Sequence, residues 1–337
     1  MARQRERNIL VRRVALGLGG VLVSGLLVLG LVGSPLGRGT AAASAPSDSA
    51  SAEVVVQSPP APQADGAAPT TGALAAPATD PSAAAALPTP AQDFTFDDYY
   101  VHVPAGAKDP APVLVALHGM GGDGPGACDG VHAWADQQGW VLVGPTFDYG
   151  NWTDPEEVAR EGPHYLPRLA QILDELPDRI GHPVQPQVTL YGFSRGAQLA
   201  QRFALLYPER VKAAVIMSAG TYTLPLREAE VNGKTQALKF PFGIADVRAR
   251  FGQDVDLDAV RHVPFWIAVG AEDNDPSALP PQWSPLLGNT RVERARHFAA
   301  ILRELQVPVQ ETEFPGLGHD IGSAEHDQAL AWVSSIQ

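Results

Sequence analysis

Along residues 93–337, short apolar runs bounded by Gly or Pro alternate with longer stretches in which apolar residues recur every three or four positions. Unbroken apolar runs of four to eight residues suit strands buried on both faces, and the periodic stretches suit helices with one buried stripe. Runs 112–118 and 139–145 are fully apolar, and strands are also predicted at 99–103 (YYVHV), 187–192, 211–218, 263–270 and 307–314. Helices are predicted over 165–176, 196–209, 289–305 and 324–336. Such alternation predicts an α/β fold, one mostly parallel sheet with helices on both faces. Segments 146–163 and 219–262 fit neither pattern and are expected to roof a pocket. Tyr149 and Trp152 in the first are candidate substrate contacts, and Tyr222, Phe240, Phe242 and Phe251 in the second suit either a pocket or lid packing.

A different pattern occupies the start of the chain. Arg3, Arg5, Arg7, Arg12 and Arg13 precede an uncharged apolar run from Val14 to Val32. At about 1.5 Å per residue, a helix of that length crosses the hydrocarbon layer of a bilayer. A secretory signal has the same basic-then-apolar order, and Ala41 to Ala43 or Ala43 to Ala45 offer cleavage sites. Residues 1–33 are therefore read as a membrane anchor or a signal segment, and the arginines place the rest of the chain outside the cytoplasm. Residues 34–92 are rich in Ala, Pro, Ser and Thr, with no Lys or Arg between Arg38 and Lys108. That composition predicts a disordered linker with polyproline character. Residues 93–337 are the expected working domain.

Charge narrows the partners. The formal net charge is -13, and residues 91–337 hold 18 Lys and Arg against 32 Asp and Glu. Such a surface repels phosphate backbones, so no nucleic-acid partner is expected. The single cysteine, Cys128, excludes an intramolecular disulfide and is read as a small packing residue.

The chemistry gathers on one turn. In VTLYGFSRGAQLAQRF (188–203), strand formers end at Gly192-Phe193-Ser194-Arg195-Gly196 and a helical pattern begins at once. A serine on so sharp a corner presents its hydroxyl outward, and flanking glycines make room for it. Here the chain resembles the α/β-hydrolase family, over nearly all of residues 93–337. The loop LHGMGGDG (117–124) follows an early strand, where that family places its oxyanion loop. The resemblance implies that the amides of Met120 and Arg195 are the oxyanion donors, and that His118 orders the loop. The family order of nucleophile, acid, base then implies Ser194, Asp273 and His319 as the catalytic residues. Asp273 has the expected spacing from Gly270, with Asp275 as the alternative acid. His319, in FPGLGHDIG, follows the last strand. The motifs look most similar to polyester-depolymerase and feruloyl-esterase-like members, with dienelactone-hydrolase-like enzymes nearby.

This reading implies a serine hydrolase of small or polymeric carboxylic esters, acting outside the cytoplasmic membrane. The reading calls for no cofactor and no metal, and no H-E-x-x-H string or cysteine cluster is present. A serine peptidase of related fold and a non-catalytic surface-binding protein are the alternatives.

Overall fold

In the computed structural model, which describes residues 90–336, every predicted strand segment holds a strand. The strands are β1 (Gln92–Thr95), β2 (Tyr99–Val103), β3 (Ala111–Leu117), β4 (Val141–Pro145), β5 (Val184–Phe193), β6 (Val211–Met217), β7 (Glu228–Val231), β8 (Lys234–Ala237), β9 (Phe265–Gly270) and β10 (Val309–Phe314). Apart from helices of one turn or so, the helices are α1 (Gly124–Asp129), α2 (His132–Gln138), α3 (Pro155–Ile180), α4 (Arg195–Leu206), α5 (Arg291–Glu304) and α6 (Ser323–Ser335). The expected anchor or signal segment, 1–33, lies outside the described residues, as does nearly all of the expected linker, 34–92. Among the described residues, no helix is long and apolar enough to cross a membrane.

Eight strands form one sheet in the order β1-β2-β4-β3-β5-β6-β9-β10, while β7 and β8 make a separate hairpin. The pairs β1/β2 and β2/β4 are antiparallel, and from β4 to β10 every pair is parallel. Because side chains alternate along a strand, each apolar run feeds two cores. Val113, Val115, Leu190 and Ile216 pack with Leu166 and Leu169 of α3, Phe203 of α4 and Phe298 of α5. Leu114, Ala116, Val215 and Trp266 pack on the other face with Cys128 of α1, Ala135 of α2 and Val333 of α6. Burial on both faces is why these strands read as unbroken apolar runs.

One expectation is corrected, and one open alternative is decided. Segment 146–163 is not one loop: α3 begins at Pro155, ten residues before the predicted helix. Asp154 caps it by accepting the Glu156 amide at 2.9 Å, Pro155 occupies its first turn, and Glu156 and Glu157 complement the amino end. Pro163 and Pro167 lie inside the helix and read in the sequence as breakers. Segment 219–262 does not present its aromatic residues to a pocket. Tyr222 is fully buried and stacks on Phe298, Phe240 meets Phe251 edge-on, and Phe242 packs on Trp283.

The topology marks one place on the rim. β3 hands the chain to β4 on one side, whereas β5 hands it to β6 on the other, so the connections diverge between the carboxyl ends of β3 and β5. In open α/β sheets that divergence leaves a crevice where ligands bind.

Candidate active site

Ser194 stands at this crevice, between the last residue of β5 and the first of α4. Its backbone is at φ 53° and ψ -112°, a conformation that L-residues avoid at a cost of about 1–3 kcal/mol. The strain is held by the ladder, because the Ser194 amide still donates to the Met217 carbonyl at 2.9 Å. The flanking glycines are required by space. A Cβ on Gly196 would lie 2.0 Å from the Leu117 carbonyl oxygen, and one on Gly192 would lie 2.7 Å from the Ala197 amide. The helix therefore sits directly on the end of β3, and the hydroxyl points away from both.

Asp273 and His319 arrive by the same logic. β9 and β10 are parallel neighbours with Gly270 opposite Phe314, so the loops after them run side by side. The Ala271 amide donates to Phe314 O and the Glu272 amide to Leu317 O, both at 2.9 Å, stitching the two loops together. His319 Nε2 then lies 3.0 Å from Ser194 Oγ, and His319 Nδ1 lies 2.8 Å from Asp273 Oδ2. The imidazole stacks on Phe193 with centroids 5.1 Å apart. Asp273 is 4% exposed and its second oxygen accepts Arg291 Nη1 at 2.9 Å. Asp275, the alternative acid, is exposed and caps a turn through Ser277, whose two hydrogen bonds hold its carboxyl below the usual range. The geometry pairs His319 with Asp273.

The loop after β3 faces the serine. An added Cβ on Gly119 would sit 3.7 Å from Ser194 Cβ. The Gly119 carbonyl accepts the Gly122 amide at 3.2 Å, closing a turn whose third position, Gly121, has the positive φ of 73° that favours glycine. His118 secures this turn. Its Nδ1 lies 2.7 Å from Gly119 O, and its Nε2 accepts the Phe147 amide at 3.0 Å. Both ring nitrogens are occupied and burial lowers its pKa, so it orders the loop as a neutral ring. Met120 is 45% exposed at the outer edge of the turn. Arg195 is the first residue of α4, where an amide has no intrahelical partner. An adjoining cavity of about 420 Å³ is lined by His118, Gly119, Gly122, Ala127, Phe193 and Ile321.

The two aromatic candidates separate. Tyr149 is buried, with its ring 4.8 Å from that of His118 and beneath the Arg195 guanidinium. It supports the loop from behind and offers no open face to a substrate, because α3 starts early enough to fold 146–154 inward. Trp152 is half-buried beside Gly220 and Arg291, on the acid side of the site. Arg291 and Glu161 were not singled out in the sequence; each meets the site through tertiary packing, and no motif marks either. Cys128 is buried away from this chemistry, and burial pushes its thiol up to about 12.

Comparison with known proteins agrees with this geometry. Residues 112–270 match the family described as alpha/beta hydrolase fold, a span that includes Ser194 and stops short of Asp273 and His319. Poly(3-hydroxyalkanoate) depolymerase C of Paucimonas lemoignei is 26% identical over 140 residues, which are 36% of this chain and 31% of that protein. The chain thus matches under a third of that relative's length. Among solved structures, poly(aspartic acid) hydrolase-1 from Sphingomonas sp. KT-1 superposes with a TM-score of 0.55 at 21% identity, covering 74% of this chain and 100% of that one. A poly(3-hydroxybutyrate) depolymerase from Bordetella parapertussis gives 0.55 at 24% identity, covering 73% and 90%. With a parallel sheet whose connections diverge at a strained serine turn, these likenesses show that the chain has the α/β-hydrolase fold.

Proposed function

We propose that this α/β hydrolase cleaves carboxylic esters by acyl transfer through Ser194. The observation that carries the reading is the relay from Ser194 Oγ to His319 Nε2 at 3.0 Å and from His319 Nδ1 to Asp273 Oδ2 at 2.8 Å. A serine hydroxyl is a weak nucleophile until a base takes its proton, and the base needs an oriented acid to hold its tautomer. In this cycle His319 Nε2 accepts the Ser194 proton as Oγ attacks the ester carbonyl carbon. Asp273 stabilises the imidazolium that results, and Arg291 holds that carboxylate in place. The amides of Met120 and Arg195 receive the developing oxyanion. His319 then protonates the leaving alcohol, and water repeats the sequence on the acyl-enzyme.

Oligomeric 3-hydroxyalkanoate esters are the substrate class to test first, since a poly(3-hydroxyalkanoate) depolymerase is among the relatives. The cavity beside Gly119 and Phe193 would take one side of the ester. The basic and apolar order of residues 1–33 supports a place outside the cytoplasmic membrane, anchored there or released.

A fluorophosphonate probe should modify the wild type and leave Ser194→Ala untouched. A panel of p-nitrophenyl esters run beside p-nitroanilides then sorts ester from amide cleavage. Turnover of amides alone would replace the ester reading with the peptidase one, and absence of labelling would leave a binding protein.

A further inference from the structure

Beyond the far side of β3 and β4 from Ser194, four side chains converge that the proposed hydrolysis does not use. Asp93 on β1 and His102 on β2 are direct partners in the antiparallel register, which puts their side chains on one face of the ladder. His132 and Asp136 stand at i and i+4 on α2, one above the other. The two imidazoles meet with centroids 3.8 Å apart.

The Asp136 carboxylate spans both rings. Its Oδ1 is 2.9 Å from His102 Nε2, and its Oδ2 is 3.4 Å from His132 Nδ1. On the other side of His102, Asp93 Oδ1 is 2.8 Å from Nδ1 and also accepts the Tyr100 hydroxyl at 2.7 Å. Ligand atoms of Asp93, His102 and His132 all lie within 4.8 Å of one another.

We infer that Asp93, His102 and His132 form a binding site for a divalent transition-metal ion of the zinc type, with Asp136 orienting the two imidazoles. The donor set decides the class: two imidazoles and one carboxylate suit zinc and its neighbours, whereas calcium and magnesium take oxygen ligands. The position of Asp136 decides the arrangement. Metal-binding histidines hand their second nitrogen to a carboxylate or carbonyl; here Asp136 is hydrogen-bonded to His102 Nε2 and has its other oxygen 3.4 Å from His132 Nδ1. Two carboxylates flanking His102 also create a place where positive charge is favoured.

Exposure supplies the entry path. His102 is 2% exposed and fixed at the base, while Asp93, His132 and Asp136 are 61%, 36% and 46% exposed. Ligand bonds of about 2.0–2.2 Å require the open side chains to close by roughly 1 Å. The ion would clamp β1, the four-residue edge strand by which the chain joins the sheet, onto β2 and α2. Its role is structural, because β4 and β3 separate it from β5 and the serine turn.

The test uses the full-length chain, stripped with a chelator and titrated with zinc chloride in a calorimeter. One equivalent should bind, and saturation should raise Tm by about 5 °C or more. Cobalt in its place should give visible d–d bands. His132→Gln and Asp93→Asn, both at open positions, should abolish saturable binding, and Asp136→Asn should weaken it about 10- to 100-fold. His164→Gln, at a histidine outside the cluster, should bind as the wild type does. No saturable zinc binding, or equal binding by the wild type and by both ligand variants, overturns the assignment.

Discussion

The Arg195 guanidinium is buried against the Glu161 carboxylate, joining the residue next to Ser194 to the first half of α3. Glu161 also accepts the Gly150 amide at 2.5 Å, and Arg195, over the Tyr149 ring, donates to Gln198 Oε1 at 3.1 Å. One ion pair therefore ties together loop 146–154, α3 and the residue whose amide is proposed to face the oxyanion. A buried pair adds little over an apolar substitute, but removing one partner strands the other charge.

Glu161→Ala should accordingly lower stability by about 3–5 kcal/mol in urea unfolding. Glu161→Gln should lose less, because its amide oxygen can still accept from Gly150. In the folded fraction kcat should fall while KM stays near the wild-type value, since the pair shapes the oxyanion side rather than the substrate cavity. Replacing both partners, as Glu161→Leu with Arg195→Met, should recover most of the lost stability. An Ala variant that unfolds at the wild-type urea concentration would show that the pair carries no structural role.

The two loop carboxylates should behave in opposite ways. Asp273→Asn keeps the shape but reverses the tautomer that His319 prefers and leaves buried Arg291 without its carboxylate, so kcat of the folded fraction should fall by about 10⁴-fold alongside some loss of stability. Asp275→Asn removes only an exposed turn cap and should stay within about twofold of wild type. Steady-state turnover of a p-nitrophenyl ester checks both; comparable losses in the two variants would dissolve the pairing of His319 with Asp273.

Ser194 and His319 should act as one unit. Each alanine variant should lose about 10³- to 10⁶-fold in kcat, and the double variant should be no slower than the worse single one. Losses that multiply in the double variant would mean that the two side chains act in separate steps.

The sheet was legible in the sequence because parallel strands covered on both faces read as unbroken apolar runs. Ser194 was legible because a strand pattern ends and a helical one begins at it, whereas Asp273 and His319 followed from the family resemblance; each lies in a loop after a strand, so the order of strands brings all three to one rim. What escaped belongs to tertiary contact. Arg291 reaches Asp273 across 18 residues and Arg195 reaches Glu161 across 34, and neither spacing leaves a periodic trace. The early start of α3 was hidden by prolines that normally end helices, although Asp154, Pro155, Glu156 and Glu157 form a start signal. Tyr149 looked like a substrate contact because aromatic residues in a strand-end loop suit a pocket; the turn of α3 puts it behind loop 117–124 instead. Strand β1 has four mostly exposed residues and no apolar run to announce it.

Glu325 should impose a pH dependence on stability. It lies in the first turn of α6, fully buried, with no side-chain partner for its carboxyl and only the Gly322 backbone amide to offset its burial. Burial, aided by the nearby charges of Asp273 and Asp320, pushes its carboxyl up from 4.5 to about 7. Between those two values the folded chain keeps a proton that the unfolded chain has released. Raising pH through that window therefore lowers stability, by about 3 kcal/mol in full, and the loss levels off above pH 7. Glu325→Gln keeps the shape without the charge, so it should match the wild type near pH 4.5 and exceed it by about that amount at pH 8. Urea unfolding of both proteins at the two pH values reads the difference directly. A gap between them that does not change with pH would mean that this carboxyl titrates as an ordinary glutamate, in contact with water that the packed core is expected to exclude.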